Sequence, residues 1–227
     1  MRGGYKMTEE ALRIAHQMDA VAIGPKHAFA DMERLAQAAK KFEWHLVFGL
    51  NCYYDYLIRE LKDSKTIVGG GLCSASTGFE STQQKVFLSK LYQEMGCGEV
   101  DLYLNLPFLR DGKEELALAE LKKVREVTKC TMKVIIEAPA LTDAQVKTAC
   151  ELVVASGADF VKTGTGFLGP TTLEIVKKVK DAVGDRIQIK AAGGIMGYET
   201  LCAMRKMGVT RFGMGYEKAI KLMEELG

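Results

Sequence analysis

The feature that most constrains the fold of this chain is a regular alternation of short apolar runs with amphipathic stretches of helical period. Eight β-branched or apolar runs are predicted strands, at residues 20–23, 45–50, 65–70, 99–105, 131–137, 159–164, 186–191 and 210–214. Each strand-helix-strand unit should form a right-handed parallel crossover. Eight units in about 200 residues predict a closed (β/α)8 barrel, a TIM barrel of the α/β class.

The helical stretches that separate these strands complete the pattern. They are predicted at residues 31–41, 53–62, 82–95, 114–128, 143–156, 172–183, 198–207 and 216–226, and an extra N-terminal helix at 8–18 precedes the first strand. Gly96, Gly157 and Gly208 each follow a helical run, where a left-handed residue commonly ends a helix. No linker or break in composition interrupts the chain, so residues 1–227 are predicted to form one domain. An open doubly wound sheet is the alternative.

Composition excludes several classes of protein. The chain has 31 Lys and Arg against 29 Asp and Glu, a formal charge of +2, which argues against a coat for nucleic acid or an anionic membrane. No apolar run reaches the roughly 18 residues of a membrane span, and the first residues lack the apolar core of a signal peptide. The cysteines Cys52, Cys73, Cys97, Cys130, Cys150 and Cys202 form no CxxC pair, and the histidines form no HxxxH pattern. We therefore expect a cytoplasmic protein with reduced thiols and no metal site.

Charged residues interrupt the apolar strands or stand beside them. They are Asp19 just before the first strand, Asp101 in the fourth, Lys133 and Glu137 in the fifth, Lys162 in the sixth and Lys190 in the seventh. Because catalytic side chains of such barrels come from the carboxyl ends of several strands, these residues are expected to converge in one mouth. Buried charges are costly unless paired, so a structural ion pair with Asp101 or Glu137 is the alternative for any one lysine.

The most informative of these positions is Lys162. It is followed directly by a loop that contains Thr165 and Gly166. Burial and a neighbouring cation lower the pKa of a lysine amine and release it as a nucleophile toward a carbonyl. Lys190, one strand later, could be that cation. Together the two lysines predict a Schiff-base nucleophile and the group that modulates it.

Four segments carry a resemblance to a known family. EVDLYLN at 99–105, KVIIEAPALTD at 133–143, GADFVKTGTGF at 157–167 and IKAAGGI at 189–195 follow one another with the spacing of class I deoxyribose-phosphate aldolases. The chain resembles that family from about residue 18 to 215. The resemblance implies that Lys162 is the Schiff-base lysine, Lys190 the second active-site lysine, Asp101 the carboxylate of proton transfer, Lys133 a charged partner and Asp19 the aspartate of the opening motif.

The resemblance also implies an activity. It is the reversible cleavage of 2-deoxy-D-ribose 5-phosphate to acetaldehyde and glyceraldehyde 3-phosphate, in carbohydrate and deoxyribonucleotide catabolism. The covalent imine on Lys162 would do the electrophilic work, without a metal or other cofactor. The expected partners are small aldehydes and sugar phosphates, and a homo-oligomer is left open. Two alternatives stand: a related class I aldolase with a different or unphosphorylated aldehyde, and a barrel that binds without catalysis.

The sequence departs from the family at two places. The opening has Ala20 and Val21 where the family has His and Thr. Near Phe48, where the family often has a cysteine, Tyr53 and Tyr54 follow; core and helix packing is the favoured interpretation of these aromatic residues, and a reshaped pocket is the alternative. On the phosphate side, backbone amides at Gly193, Gly194, Gly213 and Gly215 are expected to attract an anion. Gly215 and Tyr216 replace the usual serines, so weakened phosphate recognition is predicted. Glu217 either stabilises the dipole of the helix that begins there or competes with the phosphate.

Overall fold

Eight parallel strands close into a barrel in the order of the chain, and β8 pairs with β1. The structure, a computed structural model, describes residues 7–71, 78–195 and 197–227. The strands are β1 Met18–Val21, β2 Leu46–Phe48, β3 Ile67–Gly71, β4 Glu99–Tyr103, β5 Thr131–Ile135, β6 Phe160–Lys162, β7 Gln188–Ala192 and β8 Val209–Gly215. The predicted (β/α)8 barrel is confirmed.

Helices surround this barrel. They are α1 Glu9–Ala15, α2 Phe29–Phe42, α3 Tyr54–Leu61, α4 Thr82–Met95, α5 Leu106–Arg110, α6 Glu114–Val127, α7 Asp143–Ala155, α8 Leu173–Val183, α9 Gly197–Lys206 and α10 Tyr216–Leu226. Helix α1 is the predicted extra N-terminal helix. Helix α5 was not predicted, because its short apolar segment shows no helical period. It begins where the side chain of Asn105 accepts a hydrogen bond from Phe108 N–H at 3.3 Å.

Local signals set the ends of several helices. Ser81 and Thr142 each cap a helix and exchange hydrogen bonds with a glutamine three residues later, the reciprocal arrangement of a capping box. The predicted left-handed glycines are confirmed, with φ of 105° at Gly96, 77° at Gly157 and 95° at Gly208. These caps explain why α4 begins and ends at the predicted residues.

Alternate residues of the strands face two different environments. Val100 and Leu102 of β4, like Val134 of β5, belong to the apolar core between the barrel and its helices. Their neighbours Asp101 and Lys133 are buried outside that core and face the barrel interior. Because side chains alternate along a strand, one set packs against helices and the other meets inside the barrel.

Two charged residues lie differently from the prediction. Asp19 is inside β1 rather than before it, since β1 begins at Met18, and cations from other strands compensate its buried charge. Glu137 lies beyond β5, which ends at Ile135, and its φ of 47° is incompatible with a strand. It precedes a short 3-10 turn, Ala138–Ala140.

The structure also bears on the cysteines and on membrane-spanning helices. The described cysteines, Cys52, Cys97, Cys130, Cys150 and Cys202, are free thiols, and Cys73 lies outside the described residues. Across the ranges that the structure describes, no helix has both the length and the apolar character needed to cross a membrane.

Candidate active site

A network of charged side chains fills the barrel interior, and we call it the interior network. Its members are Asp19, Glu99, Asp101, Lys133, Lys162, Lys190 and Arg211, from strands β1, β4, β5, β6, β7 and β8. The strand register brings them together, since Asp101 pairs with Lys133, and Lys162 with Lys190. The structure thus brings together the four residues predicted to be catalytic.

Asp101 is the centre of this network. Its Oδ1 lies 3.0 Å from Lys133 Nζ, and its Oδ2 accepts hydrogen bonds of 2.9 Å from both Lys162 Nζ and Lys190 Nζ. Because both nitrogens lie 2.9 Å from the same oxygen, the distance between Lys162 Nζ and Lys190 Nζ cannot exceed twice 2.9 Å. This lies within the roughly 4–6 Å over which charges strongly influence each other's titration.

The pKa values of the two fully buried lysines, Lys190 and Lys133, are shifted in opposite directions by their surroundings. Burial disfavours the charged form of Lys190, and the charges of Lys133 and Lys162 add to this effect. Although Asp101 and Asp19 oppose it, the pKa of Lys190 falls to about 8. Lys133 is equally buried, but the carboxylates of Asp101, Asp19 and Glu99 outweigh the burial and raise its pKa above the ordinary value. Lys190 can therefore exchange a proton near neutral pH, whereas Lys133 stays charged.

The buried carboxylates are held ionised. Burial alone would raise the pKa of Asp19, but Lys133, Lys190 and Arg211 outweigh it and lower that pKa to about 2. The pKa of Asp101 lies well below its ordinary value, because three lysines outweigh its burial. Both aspartates therefore act as fixed negative charges among the lysines.

Exposure distinguishes Lys162 from the other interior lysines. The side chains of Lys133 and Lys190 are 0% exposed, and that of Lys162 is 11% exposed. Lys162 also lines the cavity at the carboxyl end of the barrel, which Lys133 and Lys190 do not reach. The expectation that all four side chains meet at the mouth is thus wrong in part: Asp101 and Lys162 line the cavity, and the two other lysines lie beneath it.

The cavity has two lobes, which share the lining residues Val21, Ile23, Lys162, Thr165 and Phe167. The apolar lobe, of about 310 Å³, is lined mainly by Val21, Ile23, Phe48, Leu50, Tyr54, Tyr103, Ile135 and Phe167. The glycine lobe, of about 350 Å³, is lined by Gly193, Gly194, Gly213 and Gly215 together with Lys26, His27 and Lys218. A molecule bound at Lys162 could extend into either lobe.

The residues predicted to bind substrate fall into two groups. Thr165 lines both lobes, and the four predicted glycines line the glycine lobe. Asp19 lines neither lobe, because its oxygens are bonded to Lys133, Lys190 and Arg211 below the cavity. Gly166, with φ of 93°, lines neither lobe but allows the loop after β6 to pack against Gly193, since a Cβ there would lie 3.1 Å from Gly193 Cα.

Tyr216, which stands where the family has a serine, and the following Glu217 both have side chains that contact residues of α2. The Tyr216 hydroxyl donates to Asp31 Oδ1 at 2.7 Å and contacts Arg34. Arg34 also pairs with Glu217 Oε1 at 3.0 Å. The charge of Glu217 is therefore matched by Arg34, while Lys26 and Lys218 add positive charge to the glycine lobe.

Sequence reasoning missed several residues of the site, including Lys26, His27 and Lys218 of the glycine lobe. Arg211 Nη1 lies 3.2 Å from Asp19 Oδ1, and Glu99 pairs with Lys133 and with His45 Nε2, the latter at 2.8 Å. Arg211 and Glu99 stand in predicted strands, so a charge in an apolar run was an available signal. Phe48 was interpreted as core, yet its ring centre lies 4.8 Å from Lys190 Nζ. No sequence signal marked this cation–π contact, which depends on the approach of β2 to β7 across the barrel.

The carboxylates of the interior network are engaged by cations. Among residues 7–71, 78–195 and 197–227, no group of three or more His, Cys, Asp or Glu side chains is arranged to hold a metal ion. Asp19, Glu99 and Asp101 share their oxygens with Lys133, Lys190 and Arg211 instead.

Comparison with known proteins shows similarity over nearly the whole chain. Residues 18–216 match the model of the DeoC/LacD family of aldolases. The deoxyribose-phosphate aldolase of Carboxydothermus hydrogenoformans is 35% identical, over 94% of this chain and 95% of that protein. That of Finegoldia magna is 37% identical, over 86% and 91%. The solved structure of QR15, an aldolase, is 28% identical with a TM-score of 0.86, covering 93% of this chain and 95% of that one.

Proposed function

Since this chain belongs to the DeoC/LacD family of aldolases, which are carbon–carbon lyases, we propose that its substrate is 2-deoxy-D-ribose 5-phosphate. The products are acetaldehyde and glyceraldehyde 3-phosphate, and the reaction is reversible. The observation that carries this proposal is the position of Lys162, the interior lysine that lines the cavity. Its amine nitrogen is the nucleophile.

The reaction begins when Lys162 Nζ attacks the aldehyde carbon of the open-chain sugar. A carbon–nitrogen bond forms, water leaves, and the resulting iminium withdraws electrons from the neighbouring carbon. The bond between C2 and C3 then breaks, and its electron pair becomes the double bond of an enamine. The C3 hydroxyl loses its proton and becomes the aldehyde of glyceraldehyde 3-phosphate. Protonation of the enamine at C2 and hydrolysis release acetaldehyde and the lysine.

Lys190 exchanges the protons of these steps, and Asp101 takes part in the transfer as the ionised carboxylate between the two lysines. With its pKa at about 8, Lys190 can give and take a proton near neutral pH. Asp101 Oδ2 accepts from both lysines, so it links the nucleophile with the proton carrier. Lys133 is a charged partner that holds Asp101 ionised.

The phosphate of the substrate occupies the glycine lobe. Four glycines allow a close approach to the backbone there, and β8 leads directly into the N-terminus of α10. Lys26 and Lys218 line the same lobe, so two ammonium groups supply the attraction that the missing serines do not. Asp19 and Gly166 support the site without lining it.

A second candidate is a related class I aldolase with a bulkier or unphosphorylated aldehyde. The apolar lobe beside Lys162 favours it, because about 310 Å³ exceeds what the two carbons of acetaldehyde need. The third alternative, a barrel that binds without catalysis, forms no imine with any aldehyde.

One experiment separates these functions. The protein is incubated with acetaldehyde, propanal and deoxyribose 5-phosphate, reduced with borohydride, and mapped by peptide mass, while aldehyde release is measured without reductant. The proposal expects an adduct on Lys162 and rapid cleavage of deoxyribose 5-phosphate. Trapping without that cleavage supports the second candidate, and the absence of trapping supports the third.

The remaining proposals concern the cellular compartment and the oligomeric state of the enzyme. The free thiols of the described cysteines support action in the cytoplasm, where thiols stay reduced. Formation of a homo-oligomer stays a prediction, which light scattering after size-exclusion chromatography would test.

A further inference from the structure

A buried glutamate stands immediately behind the cavity without lining it. Glu137 is 1% exposed and adopts a left-handed backbone conformation with φ of 47°. Its neighbours in sequence bind the strand and loop of the nucleophile: Ile136 N–H donates to the carbonyl of Lys162 at 3.0 Å, and Ala138 N–H donates to that of Thr163 at 2.8 Å. The backbone around Glu137 is therefore tied to the segment that carries Lys162.

Within the residues that the structure describes, the carboxylate of Glu137 has one hydrogen-bond partner from a side chain. Its Oε1 accepts a hydrogen bond of 2.5 Å from Thr165 Oγ1, and its Oε2 is buried and meets no hydrogen-bond partner within the described residues. No ion pair of Glu137 is found in that part of the chain either, in contrast with Asp19 and Asp101. A buried carboxylate without a cation is costly, so its bond to Thr165 calls for a reason beyond packing.

That bond determines what Thr165 can offer to a bound molecule. A threonine hydroxyl has one proton and two acceptor lone pairs. The proton is donated to Glu137, and the backbone N–H of Phe167 approaches Oγ1 at 3.4 Å. Since Thr165 lines both lobes beside Lys162, its hydroxyl is available to a substrate as an acceptor and not as a donor.

We propose that Glu137 is a positioning and specificity-determining residue, which holds the Thr165 hydroxyl as a hydrogen-bond acceptor and thereby selects acceptor aldehydes that carry a hydroxyl group. A hydroxyl on the carbon next to the aldehyde can donate to Thr165 Oγ1, whereas a methyl group in its place leaves Oγ1 without a donor. This inference rests on the proposed function, because it concerns the second aldehyde of the same aldol reaction.

The test compares two acceptors of equal heavy-atom count, glycolaldehyde and propanal, with acetaldehyde as the donor. The measured quantity is the ratio of their kcat/KM values, which does not depend on how much of a variant is folded. One hydrogen bond to the substrate corresponds to about tenfold in this ratio, at about 1.4 kcal/mol per decade. We expect wild type to favour glycolaldehyde and Thr165→Val to lower the preference about tenfold, while Thr165→Ser keeps it.

Variants of Glu137 show whether it acts through Thr165. Glu137→Asn suits a left-handed backbone but is one methylene too short to reach Thr165, and Glu137→Met removes the acceptor at similar length. Either should lower the ratio nearly as much as Thr165→Val does, and the double variant Glu137→Asn/Thr165→Val should lower it no further. Glu43→Asn is the matched control, since Glu43 is also left-handed, with φ of 54°, and pairs with exposed Lys65.

The outcomes separate this inference from the proposed function. If acetaldehyde is trapped on Lys162 in all variants and the ratio changes as expected, both stand. If trapping is normal but Glu137→Asn and Glu137→Met leave the ratio at the wild-type value, Glu137 is only a structural residue and the inference is overturned. If wild type itself traps no aldehyde, the proposed function fails and the inference fails with it.

Discussion

Lys162 Nζ donates a hydrogen bond of 2.9 Å to Asp101 Oδ2, which joins the interior lysine that reaches the cavity to a buried carboxylate. The same oxygen accepts from Lys190, so a change at any one of the three groups is felt by the other two. In the proposed mechanism, Lys162 is open to substrate and Lys190 exchanges protons from beneath it.

The first prediction concerns the nucleophile. Lys162→Met should abolish the borohydride-trapped adduct with acetaldehyde, because the two other interior lysines are buried below the cavity. Peptide mass mapping after reduction measures this, and circular dichroism checks that the variant folds. Lys177→Met, at an exposed lysine paired with Asp181, should leave the adduct unchanged. An adduct on Lys133 or Lys190 in wild type would show that the roles are assigned wrongly.

The second prediction concerns phosphate recognition. Lys218→Ala should lower kcat/KM for deoxyribose 5-phosphate by about tenfold and leave that for free deoxyribose nearly unchanged, since it removes a charge from the glycine lobe. Glu217→Gln should change neither value by more than about twofold, because Arg34 already balances that carboxylate at an exposed site. A large gain in phosphate-substrate binding on Glu217→Gln would mean that Glu217 faces the phosphate after all.

The third prediction concerns acid stability. The pKa of Asp19 is lowered from 3.8 to about 2 in the folded chain, so its ionisation stabilises the fold above about pH 4 and this contribution is lost as the pH falls toward 2. The lowering corresponds to about 2 kcal/mol. Asp19→Asn should therefore be destabilised at pH 7, and its difference from wild type should shrink by about 2 kcal/mol between pH 4 and pH 2.

Denaturant titrations at a series of pH values measure this difference. Asp185→Asn, at a side chain that is 98% exposed and pairs with Lys180 at the surface, should change the stability and its pH dependence much less, because exposed ion pairs contribute little. A destabilisation of Asp19→Asn that does not vary with pH would exclude the electrostatic explanation.

The fourth prediction concerns a buried ion pair outside the site. Lys85 Nζ of α4 lies 2.5 Å from Glu120 Oε1 of α6 and donates to the Tyr103 carbonyl at 3.0 Å. Lys85→Met should destabilise the chain by about 3–5 kcal/mol, because it leaves Glu120 buried without a cation. Adding Glu120→Leu should recover most of that loss. Lys40→Met, at the exposed pair with Glu60, should cost less than about 1 kcal/mol in the same urea titration.

The fifth prediction concerns Gly164, in the loop that follows β6. A Cβ at this position would lie 3.2 Å from Glu137 Oε2, which has no hydrogen-bond partner in the part of the chain that the structure describes. Gly164→Ser brings a hydroxyl that can donate to this oxygen and should stabilise the chain by about 0.5–1.5 kcal/mol. Gly164→Ala adds the same carbon without the donor, so thermal unfolding should show no gain for it. Equal effects of the two variants would exclude the hydrogen bond.

Much of the fold and the site could be predicted from local patterns. Charges at Asp101, Lys133, Lys162 and Lys190 stand out because a buried parallel strand is otherwise apolar on both faces. The period of two along each strand then places them on one side, and closure of the barrel brings that side together. Helix α5 escaped prediction because five residues are too few to show a helical period.

The sequence by itself determined the eight-unit barrel and the residue types that meet inside it, because both follow from periodicity and from the cost of burying charge. Only the tertiary structure decided which lysine reaches the cavity. It also decided that Asp19 is buried beneath the cavity in an ion pair with Lys190, and that Glu137 accepts a hydrogen bond from Thr165. These outcomes depend on distances of a few ångströms between residues that are far apart along the chain. Such distances are set by how strands and loops pack together, and no local pattern of residues encodes them.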